Sequence, residues 1–389
     1  MKLRGRKTGA DKSKRIRRQS SPSVESTPSL PLDLTTEIFL KLPAKSILRF
    51  SCVSKLWSTI TTQPDFAKTF ETRSKLLLFF KHDDKLFVSS VSQQNPLPNE
   101  SYLHYSSWPI DSYHMTFPKS CSFTSKTESV HGLICFRKAA KFTVWNPTMR
   151  KFLALPTADM SWNDIAFFLG YDPVECKHKV MCLPSKETSD ECLVLTLGSG
   201  KEESWRKIKT NHKHLPFCGY HMRVHGQCIN GVLYYQARLG SGLAMMSFDV
   251  RSEKLSVIPV PWETFGQMRL IIYGRKLACV GYSGNSMWVL EDPENHQWSS
   301  LIFLPPSHYD QVQNFKLVGV TDGGELIYVQ STVFKLLPVI YIHPARKSFR
   351  RVEYRGIADE DARQRHGLGE GRLRVFQVFP NHIETLLSL

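Results

Sequence analysis

Gly198-Ser199-Gly200-Lys201 carries the residue types of a phosphate-binding loop, in which glycine amides cradle an anion and a lysine neutralises it. Glu202 stands where a Mg²⁺-binding Ser or Thr is needed, and Leu195 where the first glycine belongs, so the stretch reads as a hairpin turn. Gly367-x-Gly369-x-Gly371 has no strand before it and no helix after it of the dinucleotide-binding kind, and reads as a flexible loop. Cys176, His178 and Cys182 are metal-ligand types, but their spacing matches no zinc pattern, and buried thiols beside a surface histidine are expected. His212 and His214 have no identifiable nucleophile partner, and neither G-x-S-x-G nor H-E-x-x-H occurs. The sequence supports neither a catalytic centre nor a cofactor, and a non-enzyme without metal or cofactor is expected.

The stronger signals are patterns that bury or present apolar surface. In SLPLDLTTEIFLKLPAKSILRFSCVSKLWSTITTQPDFAKTF, Leu34, Ile38 and Leu42 recur at i, i+4 and i+8, which predicts a helix that Pro43 ends. Ile47, Leu48, Phe50 and Cys52 line a second short helix, and Val53, Leu56, Trp57 and Ile60 a third. About forty residues cannot enclose so many large side chains alone, so part of the stripe must meet the following domain or a partner.

These residues resemble an F-box: Leu30-Pro31, Asp33-Leu34, Glu37-Ile38-Phe39, Leu42-Pro43, Ala44 to Phe50, Val53-Ser54-Lys55 and Trp57 sit where that motif places them, without a gap. The wording LPAKSILRFSCVSKLW resembles the plant family in which an F-box precedes an F-box-associated domain. The resemblance implies binding to the Skp-type adaptor of a cullin-RING ubiquitin ligase, with Leu30, Pro31, Leu34, Ile38, Leu42, Pro43, Leu48, Val53 and Trp57 as contact or supporting residues. Which of them touch the adaptor and which hold the helices together is open at this level.

After Phe70 the pattern changes to short aromatic and β-branched runs between Gly, Pro, Asn and Asp, the signature of strands and tight turns. Four stretches share one plan, beginning at Val130, Ile229, Tyr273 and Thr321: turn glycine, strand, second strand, polar turn, third strand. The polar turns are Asn146-Pro147-Thr148, Asp249-Val250-Arg251, Asp292-Pro293-Glu294 and His343-Pro344-Ala345, each followed by an apolar residue expected to point inward: Phe152, Leu255, Trp298 or Phe349. The wide gap between the first two stretches hides a fifth unit, FLGYDPVECKHKVMCLP with ESWRKIK. A period of about 45–50 residues is that of propeller blades, and the length after residue 73 allows about six. A β-sandwich with similar turns is the competing architecture. This region resembles the F-box-associated, Kelch-like β-repeat domain in SVHGLICF, WNPTMRKFLALP and, ahead of them, Tyr113 to Pro118, while residues 355–374 read as a long polar loop.

The fold class expected is therefore α plus all-β: a disordered basic tail over 1–28, a three-helix F-box over 29–72 and a β-propeller-like domain over 73–389. The tail holds nine Lys/Arg against Asp11 within residues 1–21, half of the net charge of +16. Its run through Lys12, Lys14, Arg15, Arg17 and Arg18 is a nuclear-import candidate, or otherwise a solvated charge run. The tail lacks aromatic residues to stack on bases, which disfavours nucleic acid as a partner. Apolar runs such as Leu76 to Phe80 fall short of the roughly 18–20 residues of a membrane span. Nine cysteines without a C-x-x-C pair, behind an N-terminus with no apolar signal region, point to reduced thiols in the nucleus or cytoplasm. The functional expectation is a substrate receptor that binds the adaptor, through it a cullin, and an unknown target protein. A propeller enzyme or sugar-binding module, and a nucleic-acid binder acting through the tail, are the alternatives.

Overall fold

The computed structural model describes residues 30–387 apart from 71–73, 83–84, 94–101, 108, 110, 117–127, 139–140, 159–161, 163, 199–203, 218–225, 262–267, 282–285, 303–311, 313 and 370. The basic tail, with its import candidate, and most of the glycine-lysine turn at 198–201 lie outside the described residues. The chain packs as two units, Met1–Lys41 and Leu42–Leu389.

The first unit holds helix α1 (Leu32–Lys41), in which the hydroxyls of Thr35 and Thr36 donate to the carbonyls of Pro31 and Leu32. Helix α1 stops just short of Pro43, as expected, because proline disfavours helical backbone at the residue before it. The second unit opens with α2 (Ala44–Ser51), α3 (Lys55–Thr62) and α4 (Pro64–Phe70). Helix α4 has no counterpart in the three-helix expectation; its seven residues carry one stacked pair, Phe66 on Phe70 at 5.9 Å, too short a stripe to show as a period.

Among the described residues the strands form five hydrogen-bonded sheets. The eight-stranded sheet is two four-stranded units joined only where Leu215 and Pro216 pair with Arg238 and Ala237, so six blades result. Blades 2 to 6 follow the chain: 129–154, 165–216, 226–258, 269–302 and 315–354. Blade 1 is built from both ends: Ser74–His82, Lys85–Ser92 and Asp111–Thr116 are completed on the inside by Leu373–Ile383, paired antiparallel from Ser74↔Ile383 to Lys81↔Arg374. Tyr102–Ser107 crosses to pair in parallel with the outer strand of blade 6.

Alternation along each strand explains why the blades stack. Leu76, Leu78 and Phe80 face the apolar layer shared with blade 6, while Leu77 and Phe79 face the one shared with blade 2. Six such layers lie between six blades, one per neighbouring pair, and the innermost strands touch in order around the ring. A sandwich would have one layer between two sheets, so the propeller is the architecture.

The polar turns recur as expected, and Asp172-Pro173 adds a fifth. In each, the first side chain accepts a backbone N–H two or three residues on: Met149 donates to Asn146 Oδ1 (3.1 Å), Val174 to Asp172 Oδ1 (2.9 Å), Ser252 to Asp249 Oδ1 (2.6 Å), Glu294 to Asp292 Oδ1 (2.9 Å) and Arg346 to His343 Nδ1 (3.2 Å). Each then ends on a left-handed residue: Arg150, Cys176, Glu253, His296 or Lys347. Phe152, Trp298 and Phe349 are half-buried and Leu255 is buried, all packed on the layers between blades.

Ring closure is fixed by polar contacts between distant segments. Asn146 Nδ2 donates to the carbonyls of Thr385 (3.1 Å) and Leu387 (2.9 Å), and Ser129 Oγ lies 2.8 Å from His382 Nδ1. Gly132, at φ +83°, sits so close that a Cβ would lie 2.5 Å from Thr385 Cγ2. Residues 355–374 are not simply a polar loop. Asp359 caps a helix at Glu360–His366 by accepting from Ala362 N (3.0 Å), and Gly367 closes it in the left-handed region at φ +59°. Arg363 ties the segment down by donating to the carbonyls of Ala358, Phe334, Gly369 and Gly371. So short a helix with one buried alanine leaves no periodic trace in the sequence.

His178 and His382 are buried between blades, contrary to the surface histidine expected at 178. Burial pushes the imidazole of His178 down to about 4 and that of His382 down to about 3, from an ordinary 6.5. Both are neutral when folded, so the unfolded chain binds more protons once the pH falls below 6.5. Each should then cost about 2 kcal/mol of stability by pH 5. We expect the thermal midpoint to fall between pH 7 and pH 5, a window in which most carboxylates stay ionised; a flat midpoint across it would contradict the buried neutral state.

Candidate functional site

Large apolar side chains belong inside, so those left outside locate a surface with a purpose. Ten stand exposed among the described residues, and six of them fall between residues 30 and 56: Leu30, Leu32, Leu34, Ile38, Val53 and Leu56. Leu34 (49% exposed) and Ile38 (48%) are one helical turn apart on α1, and so share a face. Val53, 73% exposed, stands at the α2–α3 turn.

The opposite sides of the same short helices carry the residues that hold them. Ala44, Ile47 and Ile60 are buried, Ile47 and Ile60 almost completely. Trp57 meets Phe50 edge-on at 5.4 Å and 79°, joining α3 to α2. Of the nine residues singled out in the sequence, Leu30, Pro31, Leu34, Ile38, Pro43 and Val53 are exposed, while Leu42, Leu48 and Trp57 are half-buried. Leu32 and Leu56 belong to the exposed set and were missed as site residues. Leu32 falls outside the i, i+4, i+8 stripe, and Leu56 has the same apolar spacing as its buried neighbour Ile60. Exposure, which a sequence does not print, was the missing signal.

Pro43 to Ser46, at the start of α2, border a cleft of about 170 Å³ whose other walls include Lys75, Asp111, Tyr113, Thr148, His382 and Glu384. Lys75 Nζ lies 2.6 Å from a Glu384 carboxylate oxygen, and both are largely buried. The cleft thus joins the helical segment to the end of the propeller at which Ser74–His82 begins and Leu373–Ile383 ends.

The sequence-level candidates for chemistry take structural roles. His178 Nε2 donates to the carbonyl of Val130 (3.1 Å), Cys182 is buried, and Cys176 is the left-handed residue of an exposed turn. His214 Nδ1 donates to the carbonyl of His212 (2.8 Å), which leaves Nε2 to accept from Tyr235 OH at 2.8 Å in the core. Burial raises the thiols of Cys182, Cys192, Cys228 and Cys279, the opposite of what a nucleophile requires. Among the described residues no three His, Cys, Asp or Glu side chains gather to hold a metal, and no helix is long and apolar enough to cross a membrane.

The comparisons with known proteins agree with this division. Residues 28–69 match the model of the F-box domain, and residues 75–383 that of the F-box associated beta propeller domain. The Arabidopsis thaliana protein At1g47730, named for an F-box, is 53% identical over 389 residues, covering 97% of this chain and 99% of its own. F-box protein At1g48060 of the same plant is 51% identical over 93% of each chain, and F-box protein At5g18160 is 35% identical over 94% of this chain and 93% of its own.

Proposed function

This chain belongs to the family of F-box proteins in which the F-box precedes an F-box associated beta propeller domain, and from that premise we propose that it is the substrate-recognition subunit of a Skp–cullin–F-box ubiquitin ligase. The observation that carries the reading is the concentration of exposed leucine, isoleucine and valine between residues 30 and 56, in helices whose other faces are already buried. Apolar surface of this kind gains free energy only when a partner covers it. In this reading Leu30, Pro31, Leu34, Ile38, Pro43 and Val53, with Leu32 and Leu56, contact the Skp-type adaptor, while Leu42, Leu48 and Trp57 support them.

The propeller then holds a target protein. Its six blades are tied by apolar layers and closed by pairing of the chain's two ends, so it presents loops on a rigid frame. The contribution to ubiquitin transfer is proximity: a target held near the charged conjugating enzyme reacts at a high effective concentration, and no catalytic residue is required of the receptor. The experiment is co-expression of the full chain with a plant Skp-type adaptor, against a chain lacking residues 30–70. The full chain should co-purify with the adaptor and assemble on the cullin, and the shortened, folded propeller should do neither. Equal adaptor recovery with both chains would reject the proposal.

A further inference from the structure

Lys75 and Lys81 mark the two ends of one strand of blade 1, six residues and roughly 20 Å apart. The Lys75 end borders the start of α2. The Lys81 end is remote from it and carries a different surface. There Lys81 pairs in register with Arg374, and Arg374 with Thr332, so three strands lie side by side with all three side chains exposed. Two residues after Thr332 stands Phe334, 54% exposed, with the guanidinium carbon of Arg372 4.5 Å from its ring centre. Lys335 follows it, and Arg365 lies in the last turn of the helix that Arg363 binds to the Phe334 carbonyl.

None of Lys81, Lys335, Arg365, Arg372 and Arg374 has a carboxylate partner among the described residues. Elsewhere on the propeller some exposed cations are paired, Lys207 with Glu191, Arg150 with Asp111 and Lys276 with Glu291, while others, among them Lys141, Arg251 and Arg275, also have no carboxylate partner among the described residues; this end differs in gathering five such cations around one exposed ring. Asp83, Asp84 and Glu370, the carboxylates nearest in the chain, lie outside the described residues; of the described ones, Asp359 accepts from Ala362 N and Gly356 N, and Glu360 and Asp361 sit in the helix's first turn, at the end away from Arg365. An exposed aromatic ring among five cations that no described carboxylate pairs is a surface that apolar burial alone would not select and that a chain of anionic groups would complement.

Resting on the receptor reading, we infer that the end of the propeller remote from α2 docks an acidic, extended segment of the target protein, its carboxylates meeting Lys81, Arg365, Arg372 and Arg374 and an apolar side chain covering Phe334. The placement suits a receptor, because it leaves the target on the end opposite the helical segment.

The test is fluorescence anisotropy with a labelled peptide of about twelve residues, mostly Glu with two Leu, beside a Gln counterpart, using the full chain. The Glu peptide should bind and weaken as salt rises, and the Gln peptide should not bind. The variant Lys81→Gln/Arg372→Gln/Arg374→Gln should lose roughly tenfold in affinity, and Phe334→Ala, which removes no charge, roughly threefold. A tail variant, Lys12→Gln/Lys14→Gln/Arg15→Gln, should lose less than the patch variant. Equal losses from tail and patch, or unchanged binding by the patch variant, would overturn the proposal, as would displacement of the peptide by oligo(dT) at lower concentration, which would mark a nucleic-acid surface. Adaptor co-purification is measured on the same chains. Its absence in the unaltered chain would count against the receptor reading alone, while an unchanged thermal midpoint in the patch variant shows that any lost peptide binding is not a loss of fold.

Discussion

Exchanging Leu34 and Ile38 together for alanine should reduce capture of a Skp-type adaptor by about a hundredfold or more while leaving the melting curve unchanged. The two side chains stand half-exposed one turn apart on α1. Their removal therefore opens no cavity, and alanine favours the helix. In a complex they would be fully covered, and an anchor residue buried at the centre of an interface is worth about 2 kcal/mol or more, roughly thirtyfold or more in affinity each. Ile47→Ala gives the contrasting result. That side chain is fully buried, so its loss should cost about 2–4 kcal/mol of stability and loosen the helical segment itself. Adaptor capture unchanged by the Leu34/Ile38 exchange would show that the exposed face of α1 is not the docking surface. Titration calorimetry of the purified pair measures the first effect, and thermal unfolding the second.

Replacing Arg350 by leucine should destabilise the propeller by about 3–5 kcal/mol, enough to lower the thermal midpoint by roughly 5–15 °C. Arg350 Nε and Nη2 each donate at 2.7 Å to the two oxygens of Glu325, both residues are buried, and the guanidinium lies 3.6 Å from the centre of the Tyr341 ring. The pair joins a turn and an outer strand within blade 6. Without Arg350 the Glu325 carboxylate would remain buried and uncompensated, which is the expensive outcome. The pair itself contributes little net, because its attraction mostly offsets two desolvation costs. The double variant Glu325→Leu/Arg350→Leu should accordingly recover most of the loss. A double variant as unstable as the single one would mean that the cost lies in packing around Tyr341 and not in the stranded charge.

The sequence by itself determined whatever is written in nearest neighbours and short periods. Leu34, Ile38 and Leu42, four residues apart, foretold α1, and Pro43 its end, because helix pitch and proline sterics act within a few residues. Asn146, Asp249, Asp292 and His343 foretold four turns, since an acceptor side chain reaches only the amides two or three positions ahead. Their spacing foretold the blades of the repeat, and with chain length the number six. Tertiary structure decided the rest. The helix at Glu360–His366 depends on Arg363 reaching the carbonyl of Phe334, twenty-nine residues away. The first blade has no repeat signature because its inner strand, Leu373–Ile383, comes from the opposite end of the chain from Ser74–His82, and pairing over some three hundred residues leaves no local mark in either segment. Exposure was undecided for the same reason: Leu56 and Ile60 are alike in sequence, and only the packing around α3 leaves the first half-exposed and the second buried. Whether an apolar side chain serves the core or a partner is a property of what surrounds it, and that is settled only when distant segments meet.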